Sequence, residues 1–350
     1  MTRVIIYSIA IISLFSIASC EIVANIKTIN DAGRVPPSKR FGMGCEFIDD
    51  KMLVYGGMHM QQQYSNALFY YDTIENEWVW TNSKMGFNYN KSKIEAPAIR
   101  GQSMNRIGSH VYVFGGRAGG FGQYYSNYIY KYDPDETLLS PVYNKTDGPA
   151  QRQGHSTVVL DDRYLIVYGG SKELVVHDDV WAFDTLKLTW TQLPSSSFRS
   201  EGHRAVIKES VMYVFGGFFN RTFFDHVQML YLDKNDLGNS AWTTLKVSGD
   251  RPKAYFTANL VGDQVYILGG VANGAALDDI SVFNIKDKKW LKNPTTSGDK
   301  FFARQSHCTV VDKSNNRLLI FGGYQSQDTK FQDLLSFELT QKQEQKYDEL

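Results

Sequence analysis

Six cations recur at nearly one spacing along this 350-residue chain. Arg40, Arg100, Arg152, Arg199, Lys253 and Arg304 each stand about sixteen positions before a pair of glycines. If the intervening segments repeat in space as they do in sequence, the six converge on one rim. Such a cationic mouth would attract an acidic peptide, a carboxylate or an anionic sugar; the competing use is pairing with a neighbouring acid or carbonyl. His155, His203 and His307 follow three or four residues behind three of these cations. Equivalent positions around an axis lie too far apart to share a metal ion, so the histidines read as structural and neither metal nor cofactor is expected. For acid/base chemistry the candidates are Glu201 and His203 beside Arg199. Cys-x-x-Cys, His-Glu-x-x-His and Gly-x-Ser-x-Gly motifs are absent from the sequence.

The elements that would position these residues repeat as well. A short β-branched or aromatic run ends in Gly-Gly at Gly56, Gly115, Gly169, Gly216, Gly269 and Gly322, with steps of 59, 54, 47, 53 and 53 residues. Most copies then carry an aromatic–acidic pair, or a close variant of it, with a tryptophan beyond: Tyr71-Asp72 with Trp78, Phe183-Asp184 with Trp190, Leu232-Asp233 with Trp242, Phe283-Asn284 with Trp290. The second copy keeps Tyr132-Asp133 but has Leu139 in place of the tryptophan. Alternating apolar residues between turn signals predict about four short strands per copy. Two glycines closing a strand point to left-handed backbone or to an approach that a Cβ would block. The four tryptophans are expected to pack between copies.

A four-stranded unit near fifty residues, marked by Gly-Gly and Tyr-Asp…Trp, resembles the kelch repeat over essentially the whole chain after residue 20. The resemblance implies an all-β fold, a six-bladed β-propeller around a central channel. The sixth copy has Phe337-Glu338 but no later tryptophan, so its outer strand is sought elsewhere; residues 22–29 are expected to supply it and close the ring. Residues 21–340 then form one propeller, followed by a polar tail over 341–350.

Residues 1–20 read as a secretory signal, a 15-residue apolar run from Val4 to Ala18 behind Arg3, with Cys20 at its end. The chain ends Tyr347-Asp-Glu-Leu350, similar to a retention signal of the endoplasmic reticulum, so the lumen or the extracellular space is expected. Asn90, Asn144 and Asn220 open glycosylation sequons. Cys45 and Cys308 fall on the innermost strands of the first and last blades, one residue out of register, and are expected to be two free buried thiols. Equal numbers of basic and acidic residues, 37 each, argue against nucleic-acid binding, and no later segment reads as a membrane span.

Loops after Gly-Gly carry the other recognition candidates: Arg117 and Tyr124 in blade two, Phe218 and Phe219 in blade four, Tyr324 in blade six. The reading that follows is a monomeric binding module of the secretory pathway for a polypeptide or glycan ligand, acidic in character, rather than an enzyme. The alternative is a small kelch enzyme acting on a sugar, since the architecture resembles that of a secreted sialic-acid epimerase.

Overall fold

A computed structural model describes residues 21–30, 36–59, 63–81, 84–85, 96–119, 124–143, 147–247, 249 and 251–342. The proposed signal, Cys20, Asn90, Asn144 and the Tyr347–Leu350 tail lie outside the described residues. Within them the chain forms the expected four-stranded antiparallel sheets. Blade one, for example, orders Gly44–Ile48, Lys51–Tyr55, Leu68–Asp72 and Glu77–Thr81 from inside to outside. The inner strands of the other blades are Ser103–Ile107, Ser156–Leu160, Arg204–Lys208, Thr257–Val261 and Cys308–Asp312. Each touches the next, and Cys308–Asp312 returns to Gly44–Ile48, so six blades surround one channel.

The last blade takes its outer strand from the N-terminal side. Glu21–Thr28 lies antiparallel to Leu334–Lys342, with Ile22 opposite Gln341 and Thr28 opposite Leu335. Ile22, Ala24 and Ile26 alternate inward and are buried with Leu335 and Phe337. A further strand, Thr295–Gly298, covers the outer edge of Glu21–Thr28. No helix among the described residues is long and apolar enough to cross a membrane.

The repeat's signature residues have distinct mechanical duties. In the aromatic–acidic pair the acid caps a turn: Asp72 Oδ1 accepts from the Ile74 and Glu75 amides, Asp133 from Asp135 and Glu136, and Asp184 from Leu186 and Lys187. The turn returns the chain so that the tryptophan lands against the aromatic residue preceding Gly-Gly in the previous blade. Trp78 meets Phe321 with ring centroids 4.9 Å apart, Trp190 meets Phe114 at 5.5 Å, and Trp242 meets Tyr168 at 5.2 Å. Leu139 fills the same role by volume alone and is buried.

Gly-Gly is where one blade docks on the next. The second glycine donates its N–H to a carbonyl a few residues ahead of the following inner strand, as in Gly116 to Arg152 at 2.8 Å and Gly323 to Arg40 at 2.9 Å. The first glycine has φ near +70°, and a Cβ on Gly56 would stand 2.4 Å from the Ile99 oxygen. Only glycine admits both the left-handed backbone and the contact.

Candidate functional site

The six Gly-Gly docking carbonyls belong to Arg40, Ile99, Arg152, Ser200, Lys253 and Arg304. This fixes the true equivalence among blades and corrects the cation spacing. Arg40, Arg152, Lys253 and Arg304 share one position, whereas Arg100 lies one residue later and Arg199 one residue earlier than their counterparts. The four equivalent cations are buried, at 1% exposure or less. Arg152 Nη1 and Nη2 reach Asp179 at 2.7 and 2.9 Å, and Arg304 pairs with Asp333 at 2.8 Å through both nitrogens. Each also donates back to its own blade's first glycine: Arg40 to Gly56, Arg152 to Gly169, Arg304 to Gly322. Lys253 donates to Ser281. Burial works against the Asp179 carboxylate, but hydrogen bonding and charge from Arg152, with help from Trp181, still hold its pKa below the ordinary range. Burial also lowers Arg40 to about 10. The three arginines therefore brace Gly-Gly, Lys253 is held inside its blade, and the four present no rim of charge. Arg199 is exposed, paired with Asp178 at 3.3 Å.

Arg100 behaves differently. The register step that removes it from the brace turns its side chain toward the channel, where its guanidinium lies 5.7 Å from the Phe41 ring and 5.8 Å from the Tyr64 ring. Its Nε makes no hydrogen bond, and it has no carboxylate partner among the described residues. Arg117 stands directly opposite Arg100 across the pair of short strands Ile99–Arg100 and Arg117–Ala118, and rests over the Tyr125 ring at 5.6 Å. Tyr324 packs against Phe41 with tilted rings, centroids 4.4 Å apart. Arg100, Arg117 and Tyr324 thus gather on the blade six–one–two side of the mouth. Tyr124 neighbours Arg117's strand and is 47% exposed. Phe218 and Phe219 lie on blade four in a separate, half-buried aromatic hairpin, with Asn220 exposed at its tip.

The channel itself has a volume of about 990 Å³. A hoop of backbone hydrogen bonds encircles it near the mouth. Gly101 donates to Gly42, Gly154 to Gly101, Gly202 to Gly154, Tyr255 to Gly202, Ser306 to Tyr255, and Gly42 to Ser306, at 2.7–3.1 Å. All six donors have φ between 50° and 69°. Tyr255 occupies that left-handed position with a bulky side chain, which is costly backbone for a non-glycine. Burial, then the charge and hydrogen bond of Glu201, push the Tyr255 phenol pKa up, so it stays protonated and donates to Glu201. Glu201 also accepts from Ser171.

His203 does not join Glu201 in acid/base work. It is wholly buried and its Nε2 meets the Tyr168 carbonyl at 3.2 Å. Burial lowers its pKa to about 3. His155 and His307 bridge to the preceding blades through Ser103 at 3.0 Å and Thr257 at 3.1 Å, and burial holds both well below the usual histidine range. No group of histidine, cysteine and acidic side chains among the described residues could hold a metal.

Cys45 and Cys308 are not free thiols: they form a disulfide lining the channel, with Cα atoms 6.1 Å apart. The one-residue offset that argued against pairing is what permits it. Residues of opposite parity point to opposite faces of their sheets, and neighbouring blades present opposite faces to each other. Asn105 with Thr157 and Asn259 with Thr309 meet by the same rule, one blade apart.

The kelch-repeats domain model of KLHDC2, KLHL20 and DRC7 matches residues 20–201 and 197–348. The chain belongs to the kelch-repeat family. It is 25% identical over 301 residues to acyl-CoA-binding domain-containing protein 4 of Arabidopsis thaliana, an alignment covering 82% of this chain and 43% of that one. Kelch domain-containing protein 3 of Homo sapiens is 28% identical over 258 residues, covering 66% of this chain and 65% of that protein. The chain thus spans less than two thirds of either relative. Among solved structures YjhT superposes with a TM-score of 0.69 over 88% of this chain and 98% of that one, at 18% identity, a likeness of fold alone.

The sequence reading missed Phe41, Tyr64, Arg204 and Tyr255, all of which sit at or near the channel. Aligning the copies on the glycine of the hoop, rather than on distance to Gly-Gly, would have brought Arg204 and Tyr255 out as departures from the pattern.

Proposed function

We propose that this kelch propeller is a protein-interaction module of the secretory pathway that takes an acidic polypeptide at the blade six–one–two side of its channel mouth. The observation that carries the reading is the opposition of Arg100 and Arg117 across one strand pair. Like charges directly opposite are destabilising in a sheet, and no carboxylate among the described residues neutralises Arg100. A ligand acid would relieve that repulsion, and Phe41, Tyr64 and Tyr324 offer apolar rings around it. The disulfide supports an oxidising compartment. Asn220, exposed at a hairpin tip, is accessible for glycosylation in such a compartment.

The test is binding of an acidic peptide library and of a glycan array carrying uronic sugars, each at rising salt. Acidic peptides should bind, with affinity falling as ionic strength rises. The pair Arg100→Gln and Arg117→Gln should weaken binding without lowering the melting temperature. Binding confined to sugars would replace the polypeptide with a glycan, and salt-independent binding would sink the mouth as an anion site. For compartment, residues appended after Leu350 should release a retained protein into the medium.

A further inference from the structure

Two residues past each hoop donor the chain carries Gly44, Ser103, Ser156, Arg204, Thr257 and Cys308, and all six line the channel. Five are small. Blade four alone places a guanidinium at this level, which narrows the lumen from one side and charges it. Arg204 Nη1 donates to the His203 carbonyl at 2.9 Å, and no carboxylate among the described residues pairs with it. Burial in the channel pushes its pKa below the ordinary arginine value, with the Tyr255 phenol partly offsetting this. In the adjoining blade, at the same level, the Ser156 hydroxyl is buried and makes no hydrogen bond. The two equivalent hydroxyls, Ser103 and Thr257, are engaged by His155 and His307. The histidine beside Arg204 turns instead to the Tyr168 carbonyl.

We propose that the channel waist is a carboxylate-binding site, with Arg204 as its cation and the Ser156 hydroxyl as a second donor. This rests on the reading of the mouth as the ligand entrance and names what the ligand inserts: a single carboxylate on a narrow stem. Both donors belong to residues lining the channel on adjacent blades, and a planar carboxylate accepts from a guanidinium and a hydroxyl together. An acidic side chain and an acidic sugar share this chemistry, so glutarate and glucuronate serve as separate probes.

Calorimetric titration at constant ionic strength, with chloride as background, reads the site directly. Glutarate, glucuronate or both should bind the wild-type protein, and Arg204→Gln should lose at least tenfold in affinity. Arg204→Lys, which keeps the charge without the fork, should fall between them, and Ser156→Ala should weaken binding several-fold. Arg199→Gln, exposed and outside the channel lining, should bind as wild type does. Should Arg204→Gln fail to fold, Arg204→Lys and Ser156→Ala carry the test; wild-type affinity in both would overturn the site. Unchanged affinity in Arg204→Gln would do the same, as would absence of binding by either probe. If the waist fails while Arg100→Gln with Arg117→Gln still loses acidic peptides, the mouth reading stands alone. If glutarate depends on Arg204 while acidic peptides ignore Arg100 and Arg117, the mouth reading falls instead.

Discussion

Arg152 and Arg100 are the same residue type one register step apart, and the step reverses the use of the charge. Arg152 is buried, forked onto Asp179 and tied to Gly169, so its charge is consumed inside the blade. Arg100 faces the channel between Phe41 and Tyr64, with no carboxylate beside it among the described residues. A strand alternates faces at every residue, so one position decides between brace and receptor. Residue type at a regular spacing therefore says little until the register is known.

The sharpest way to break the comparison is to delete a brace. Arg304→Ala leaves Asp333 without its partner and Gly322 without its clamp. It should cost about 3–5 kcal/mol, as breaking a buried pair does, measured by denaturant titration; a loss below 1 kcal/mol would place Arg304 with Arg100. Trp78→Ala should cost a similar ~3–5 kcal/mol, since Trp78 is 1% exposed between Tyr71 and Phe321. Replacing Cys45 and Cys308 with serine should cost about 2–4 kcal/mol, seen as a lower melting temperature that reductant reproduces in the wild type.

Acid should act through the buried histidines. His155, His203 and His307 have folded pKa values depressed below the unfolded value near 6.5. The unfolded chain then binds more protons, so their stabilising contribution is full above pH 6.5 and falls as pH drops below it. For His203 the loss levels off below pH about 3. Melting temperature followed from pH 8 to pH 4 should decline; His203→Gln should flatten the slope, and an unaltered slope would contradict the assignment. The smallest expected effect is Arg100→Gln, within about 0.5 kcal/mol of wild-type stability. A larger loss would make Arg100 a brace too.

The propeller was legible because its marks are local and repeated. Gly-Gly recurs in every blade and the turn-capping acid and the tryptophan in most, each doing one job, so spacing alone exposed them, and the missing tryptophan after Phe337 pointed to the strand Glu21–Thr28. The site was less legible. Counting back loosely from Gly-Gly placed Arg100 and Arg199 in a ring they do not join. Blades three and six have hairpins one or two residues longer, and a spacing loose enough to admit Arg152 and Arg304 admits neighbours of the true position in blades two and four as well. The disulfide was misjudged because register within a sheet was applied to strands of different sheets. Arg204 escaped notice because its significance lies in the small residues at the same level of the other blades.

The hoop of hydrogen bonds from Gly42 through Ser306 gives the channel a circumference fixed by the number of blades and by backbone geometry. Such an aperture is a gauge rather than a jaw. It cannot close on what enters, so induced fit is denied to the waist and a ligand must arrive already slim enough to pass. In the proposed waist site, discrimination would then be settled in two stages, calibre first and charge second. Any change of preference has to come from swapping a side chain on the inner wall, while the hoop that carries those side chains keeps its size.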